Sequence, residues 1–252
     1  MCGKMICELY QKRHGRVLSA ELTKQKAEKL LQSGLTKREE GFAFFSLVNQ
    51  GQTEDDFTSL LALAGRLQRA IDRPIMVHLR TGDLSPQMLP EFFEQIAEAE
   101  LVNFLIIGGD KRVHSGGFST TEDLLKALRK GTPDRLSLGA TIDPSQPAAP
   151  LKAKVRQAAG ADFLISQVLF DEQPLLALQD KLRKANPTFS IPLIPGLLLK
   201  PTLGQLRWVN HVLKVAIPDD YYAQPALAGQ RLRTQLNQVN FVGEHFFTVP
   251  EK

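Results

Sequence analysis

Apolar segments rich in β-branched and aromatic residues recur along the chain, each followed by a run whose apolar residues fall three and four apart. Strands are expected over residues 5–10, 41–49, 74–80, 103–109, 135–143, 162–170, 191–199 and 245–249. Between them the spacing predicts helices over 19–33, 54–71, 86–99, 120–130, 151–159, 174–185, 203–213 and 226–242. In 54–71, Leu60, Leu61, Ala64, Leu67 and Ile71 mark one helical face. Thr53 ahead of Glu54-Asp55-Asp56, and the Ser119-Thr120-Thr121-Glu122 stretch, supply start signals.

Eight strand–helix alternations predict an α/β chain folded as one (β/α)8 TIM barrel over 1–252, with parallel strands buried on both faces. An open doubly wound sheet is the alternative, but no Gly-rich dinucleotide turn follows the first expected strand. The last strand is followed closely by Pro250-Glu251-Lys252, so the barrel is expected to lack its closing C-terminal helix. Either the helix over 226–242 or a partner subunit then covers that outer face. A homo-oligomer or a partner subunit is the corresponding expectation.

Composition adds limits. The 252 residues are 43% hydrophobic and 23% charged, with a formal net charge of +4, as in an ordinary globular protein. Lysines and arginines are dispersed, which argues against a nucleic-acid partner. The mild positive balance suits an anionic small ligand, such as a phosphorylated cofactor or a polyglutamylated substrate. Cys2 and Cys7 are too few for a disulfide framework and do not match a zinc spacing. A reducing, cytoplasmic setting follows. No apolar run reaches the ~18 residues of a membrane span, and the N-terminal segment lacks the apolar core of a secretory signal.

Barrel chemistry collects at the C-terminal ends of strands. The candidates there are Glu8, Asn49, Gln50, His78, Thr81, Asp83, Asp110, Asp143, Gln167 and Asp171. Gln167 is a lone amide between Phe163-Leu164-Ile165 and Val168-Leu169-Phe170, and needs a neighbour or a ligand to satisfy it. Asp110 follows Gly108-Gly109, where bare backbone allows a flat heterocycle close approach; a turn-capping aspartate is the alternative. Glu8, read as a strand residue facing the lumen, is either a general acid or half of a surface ion pair. His78 either binds a cofactor phosphate or carbonyl, or is satisfied by its neighbours. No metal spacing and no serine or cysteine nucleophile motif appears.

Several of these segments together resemble the methylenetetrahydrofolate reductase family. They are Gly160–Phe170, Ile194-Pro195-Gly196, the Gly109-Asp110 turn, Val77-His78-Leu79, Ile217-Pro218 and His245-Phe246-Phe247-Thr248. The resemblance implies a barrel that reduces 5,10-methylenetetrahydrofolate to 5-methyltetrahydrofolate with FAD, and with NADH or NADPH as electron donor. Under it Glu8 and Asp110 are catalytic, and Gln167 and Asp110 bind folate. His78, Gly109, Asp110, Ala140, Lys152 and Lys154 are the implied flavin contacts, with no metal. The departures fall mostly on the flavin side: no proline pair follows Glu8, Gly108 stands where the family has arginine, and Thr141 replaces a tyrosine. A flavin-free folate reductase using NAD(P)H directly is the alternative these departures raise, and the missing closing helix raises another, a non-catalytic barrel subunit of a reductase complex.

Overall fold

The structure is a computed structural model, and it describes residues 4–12, 15–108, 116–132, 135–185, 188–198 and 200–249. Eight parallel strands close into a barrel in sequence order, the (β/α)8 architecture expected from the alternation. The chain enters through a short helix, α1 (Ile6–Gln11), before the first strand, β1 (Val17–Leu22). Then follow α2 (Lys24–Ser33), β2 (Phe44–Leu47), α3 (Glu54–Ile71), β3 (Ile75–Arg80), α4 (Leu89–Glu98) and β4 (Asn103–Ile107). The second half runs α5 (Thr121–Gly131), β5 (Ser137–Ile142), α6 (Ala149–Ala158), β6 (Phe163–Val168), α7 (Gln173–Ala185) and β7 (Leu193–Leu197). It ends with α8 (Leu203–Trp208), one wider π-helical turn over Val209–Leu213, α9 (Asp219–Ala223), α10 (Pro225–Gln238) and β8 (Gly243–Phe246).

The expectation for the first strand is corrected. Residues 6–11 form a helix, and the strand, Val17–Leu22, overlaps the start of the segment expected to be the helix over 19–33. Ile6 and Tyr10, four apart, fall on one helical face and are the two residues of α1 that are buried. They pack onto Phe44, Met76, Leu105, Phe163, Ile165 and Ile194. The Asn103 side chain at the start of β4 accepts from the Ile6 N–H at 2.8 Å, and Ser137 Oγ at the start of β5 accepts from the Cys7 N–H at 2.9 Å. Helix α1 therefore plugs the N-terminal end of the barrel, opposite the end where barrel chemistry collects.

Above the plug the lumen is close-packed. A Cβ on Gly139 would lie 2.3 Å from the Phe163 ring, so a bare backbone on β5 is what lets that ring fill the lumen. Outside, the β8–β1 seam pairs Val17 with Gly243 and Ser19 with His245. Glu244, fully buried on the outer side of β8, is neutralised there by Arg16 at 2.8 Å and by Arg233 at 2.8 Å. The described residues after β8, 247–249, form no helix. Beside that seam lies a groove of about 1070 Å³, whose walls include Ala20, Leu22, Phe42 and Phe246.

Candidate active site

Of two carboxylates near the start of the chain, one foreseen and one not, only the second lies at the site. Glu8, expected on a lumen-facing strand, lies on α1 with its side chain about half exposed, 3.3 Å from Lys12 one turn on. It is an i,i+4 surface pair at the plugged end, so the acid role proposed for it has no geometric basis. The first strand carries instead Glu21, one residue before its end and 6% exposed. Leu18, Ala20 and Leu22 alternate with Ser19 and Glu21, which places the polar pair on the luminal side. That alternation, closed by Thr23 as the N-cap of α2, was the available signal.

Glu21 is held by neighbours on β3, on β8 and just past β8. Thr248, just past β8, donates its N–H to Oε2 at 2.9 Å, and its hydroxyl donates to the Glu21 carbonyl at 3.0 Å. Oε1 faces His78 Nε2 on β3 at 3.7 Å and His245 Nε2 on β8 at 3.8 Å. Each imidazole has a serine partner: Ser46 Oγ lies 2.7 Å from His78 Nε2, and Ser19 Oγ lies 2.9 Å from His245 Nδ1. Burial, helped by the neighbouring His245 and opposed by Glu21, pushes the His78 imidazole down to about 4. His78 is therefore neutral at pH 7, a floor of the mouth rather than a phosphate-binding cation.

The rim around this network is mixed. Ile107 and Phe247 are partly buried against the luminal cluster and form apolar floor. Gln167 is half-buried at the end of β6, where the β6–β7 ladder is irregular between Ile165 and Val168. Its Oε1 accepts the Val168 N–H at 3.0 Å, and its Nε2 has no hydrogen-bond partner among the described residues. Glu21, Leu198, Phe247 and Thr248 also line the groove of about 1070 Å³, so the polar lumen opens onto a space that can hold a large ligand. Among the described residues no three His, Cys, Asp or Glu are grouped to hold a metal ion.

The other expected residues sort clearly. Asp83 accepts from the Arg80 N–H at 2.7 Å, from Arg80 Nε at 2.8 Å and from Asn49 Nδ2 at 2.8 Å, an ion-paired knot at the end of β3. Thr81 Oγ1 donates to the Gly108 carbonyl at 2.6 Å. Asp143 caps its own turn through Ser145, and Asp171 does so through the Gln173 N–H at 2.9 Å. Ala140 is fully buried in the layer between strands and helices, so its side chain does not face the mouth. On α6, Lys154 Nζ donates to the Ala185 carbonyl at 3.1 Å, while Lys152 is exposed. Asp110, Gly109 and His114 lie outside the described residues.

A closed barrel with a buried carboxylate, two buried imidazoles and an apolar floor at its C-terminal mouth has its polar groups at the end where (β/α)8 barrels carry their sites. Comparison narrows the class. The methylenetetrahydrofolate reductase family model matches residues 12–228, and the chain belongs to that family. Methylenetetrahydrofolate reductase 1 of Schizosaccharomyces pombe is 24% identical over 163 residues, covering 59% of this chain. The match takes in 26% of that protein, so this chain aligns with about a quarter of its length. Among solved structures, a protein from Clostridium thermocellum that binds two copies of 5-methyl-5,6,7,8-tetrahydrofolic acid superposes with a TM-score of 0.71 at 12% identity, covering 98% of this chain and 94% of that one. Oxaloacetate acetylhydrolase superposes with a TM-score of 0.57 at 12% identity, over 98% of this chain and 80% of that one. At these identities the two structures speak for the fold.

Proposed function

We propose that this barrel binds a reduced folate at its C-terminal mouth and reduces 5,10-methylenetetrahydrofolate to 5-methyltetrahydrofolate with NAD(P)H. The observation that carries this reading is Glu21, buried at the end of β1 beside an apolar floor and open to a groove large enough for a folate. Opening the one-carbon bridge needs a proton on a folate nitrogen, and Glu21 is the carboxyl group placed to give it. The Gln167 amide offers its N–H groups to a polar edge of the pterin, whose face rests on Phe247 and Ile107. Folate membership of the family and the folate ligand of the Clostridium thermocellum protein support the substrate class.

FAD is the cofactor the family implies. The apolar floor equally suits the fused planar ring of FAD, which would then lie between that floor and the pterin and would supply the hydride that the opened one-carbon unit accepts. Of the residues the resemblance assigns to it, Asp110 and Gly109 lie outside the described residues and Lys152 is exposed beside the rim on α6. The outward Ala140 and the engaged Lys154 favour a second reading, direct hydride transfer from the nicotinamide without flavin. One set of measurements separates them. Purified chain is titrated with FAD and with 5-methyltetrahydrofolate, and NAD(P)H-dependent reduction is followed with and without FAD. Flavin absorbance with FAD-dependent turnover supports the first reading. Turnover in a colourless protein supports the second, and no folate binding overturns both.

A further inference from the structure

His245 is fully buried, and its Nε2 has no hydrogen-bond partner among the described residues, which is uncommon for a polar atom with no access to water. Its other nitrogen explains why. Ser19 donates its hydroxyl hydrogen to the Glu244 carbonyl at 3.2 Å, leaving Ser19 Oγ to accept from His245 Nδ1 at 2.9 Å. A proton on Nδ1 of a neutral imidazole leaves Nε2 as a bare lone pair. That lone pair faces Glu21 Oε1 at 3.8 Å, while the other carboxylate oxygen is already occupied by the Thr248 N–H. Two acceptors facing each other where little water reaches repel; one proton between them, with the 3.8 Å gap closing to hydrogen-bond length, turns the contact into an attraction.

We propose that His245 is the positioning residue for Glu21: in its Nδ1–H tautomer it accepts the carboxyl proton on Nε2, so that the pair holds one proton. His78 does not compete for the role, because Ser46 already occupies its Nε2 at 2.7 Å. Among the described residues, the other polar groups facing the pair are Tyr10 from α1, whose hydroxyl lies beside Ser19, and Thr248 from beyond β8. In the folate reading on which its catalytic meaning rests, the proton passes from the pair to the substrate nitrogen, and a proton taken up from bulk solvent through the mouth replaces it. The carboxylate left facing a bare lone pair is the less stable state, which favours that recharging.

The test needs no substrate. Long-range proton–nitrogen NMR on histidine-labelled protein reads the tautomer, with the His245 signals assigned by their loss in His245→Asn. The expected result is Nδ1–H with an unprotonated Nε2; an Nε2–H tautomer overturns the proposal. Carbon-13 titration of labelled glutamate, with Glu21 assigned through Glu21→Gln, then compares wild type with His245→Asn. Asparagine keeps a donor near Ser19 but offers nothing to Oε1, so the proton affinity of Glu21 is expected to fall about tenfold. An unchanged or increased affinity overturns the proposal. Should His245→Asn not fold, Ser19→Ala, which frees the tautomer, is read in the same way. Because both measurements use free protein, an absence of folate turnover leaves them standing and condemns only the functional reading.

Discussion

The two ends of the barrel are built from the same eight strands to opposite purposes. At the N-terminal end, α1 drops Ile6 and Tyr10 onto a floor of Phe44, Met76 and Phe163, and Asn103 and Ser137 tie its backbone down. At the C-terminal end, luminal positions become Glu21, His78 and His245, held by serines and a threonine and opening onto a groove. The plugged end gains from burial and rings in contact: Tyr10 lies 5.1 Å from Phe163 and 6.1 Å from Phe44. The open end keeps buried polar groups in an arrangement that costs stability and offers proton chemistry. Substitutions at the first end should therefore read out in folding, and at the second in turnover.

The largest expected effect is at the open end. Glu21→Gln keeps the side-chain shape and the contact with Thr248 but removes the transferable proton. Folate reduction should fall by about 10²–10⁴-fold, the usual worth of a general acid, while the unfolding midpoint stays close to wild type. Steady-state kinetics beside a denaturant melt checks it. Retained turnover would remove Glu21 from the chemistry.

Next is the plug. Tyr10 is 3% exposed, and Tyr10→Ala empties a ring-sized space under the lumen. A loss of about 3–5 kcal/mol is expected by analogy with other buried aromatic truncations. Urea unfolding followed by circular dichroism measures it. A loss under about 1 kcal/mol would mean that α1 is not part of the cooperative core.

How this division shows in the sequence is instructive. Helix α3 is legible to the residue, because Thr53 and Asp56 cap each other's backbone N–H groups and the apolar stripe runs for five turns. The first strand is not. Met5, Ile6, Leu9 and Tyr10 satisfy a strand composition and a helical spacing equally well, and six residues are too few to decide. Misplacing it hid Glu21 inside an expected helix, since Thr23 caps α2 without a glutamate or glutamine three residues on to mark it. The start of β8 is obscured in another way. Glu244 reads as a surface charge until Arg16 and Arg233, distant in sequence, are seen to neutralise it. His78 and Gln167 both lie near the C-terminal mouth, yet what each touches there follows from register across strands, which one chain read linearly does not display.

The third prediction concerns pH. His78 titrates near 4 in the folded chain against 6.5 for a free histidine, with burial as the main cause. Between those values the unfolded chain binds more protons, so stability rises with pH through the window, is complete above about 6.5, and is lost as pH falls through about 4. The shift corresponds to roughly 3 kcal/mol. His78→Gln should flatten the unfolding free energy between pH 4 and 6.5 relative to wild type. Parallel profiles for the two proteins would show that His78 is not buried as described.

The smallest expected effect is the most decisive for the comparison. Glu8 and Lys12 form an exposed i,i+4 pair at 3.3 Å on the plugged end. Such pairs contribute at most about 1 kcal/mol, because solvent screens them and two long side chains must be ordered. Glu8→Gln should change stability by less than about 0.5 kcal/mol and leave kcat and KM for folate unaltered. Both glutamates are followed by leucine, and both sit in short apolar segments near the start of the chain, so local sequence does not separate them. Their positions at opposite ends of the barrel do. If Glu8→Gln abolished turnover while Glu21→Gln did not, strand one would have to be residues 5–10 after all, and the mouth described above would be the wrong end of the molecule.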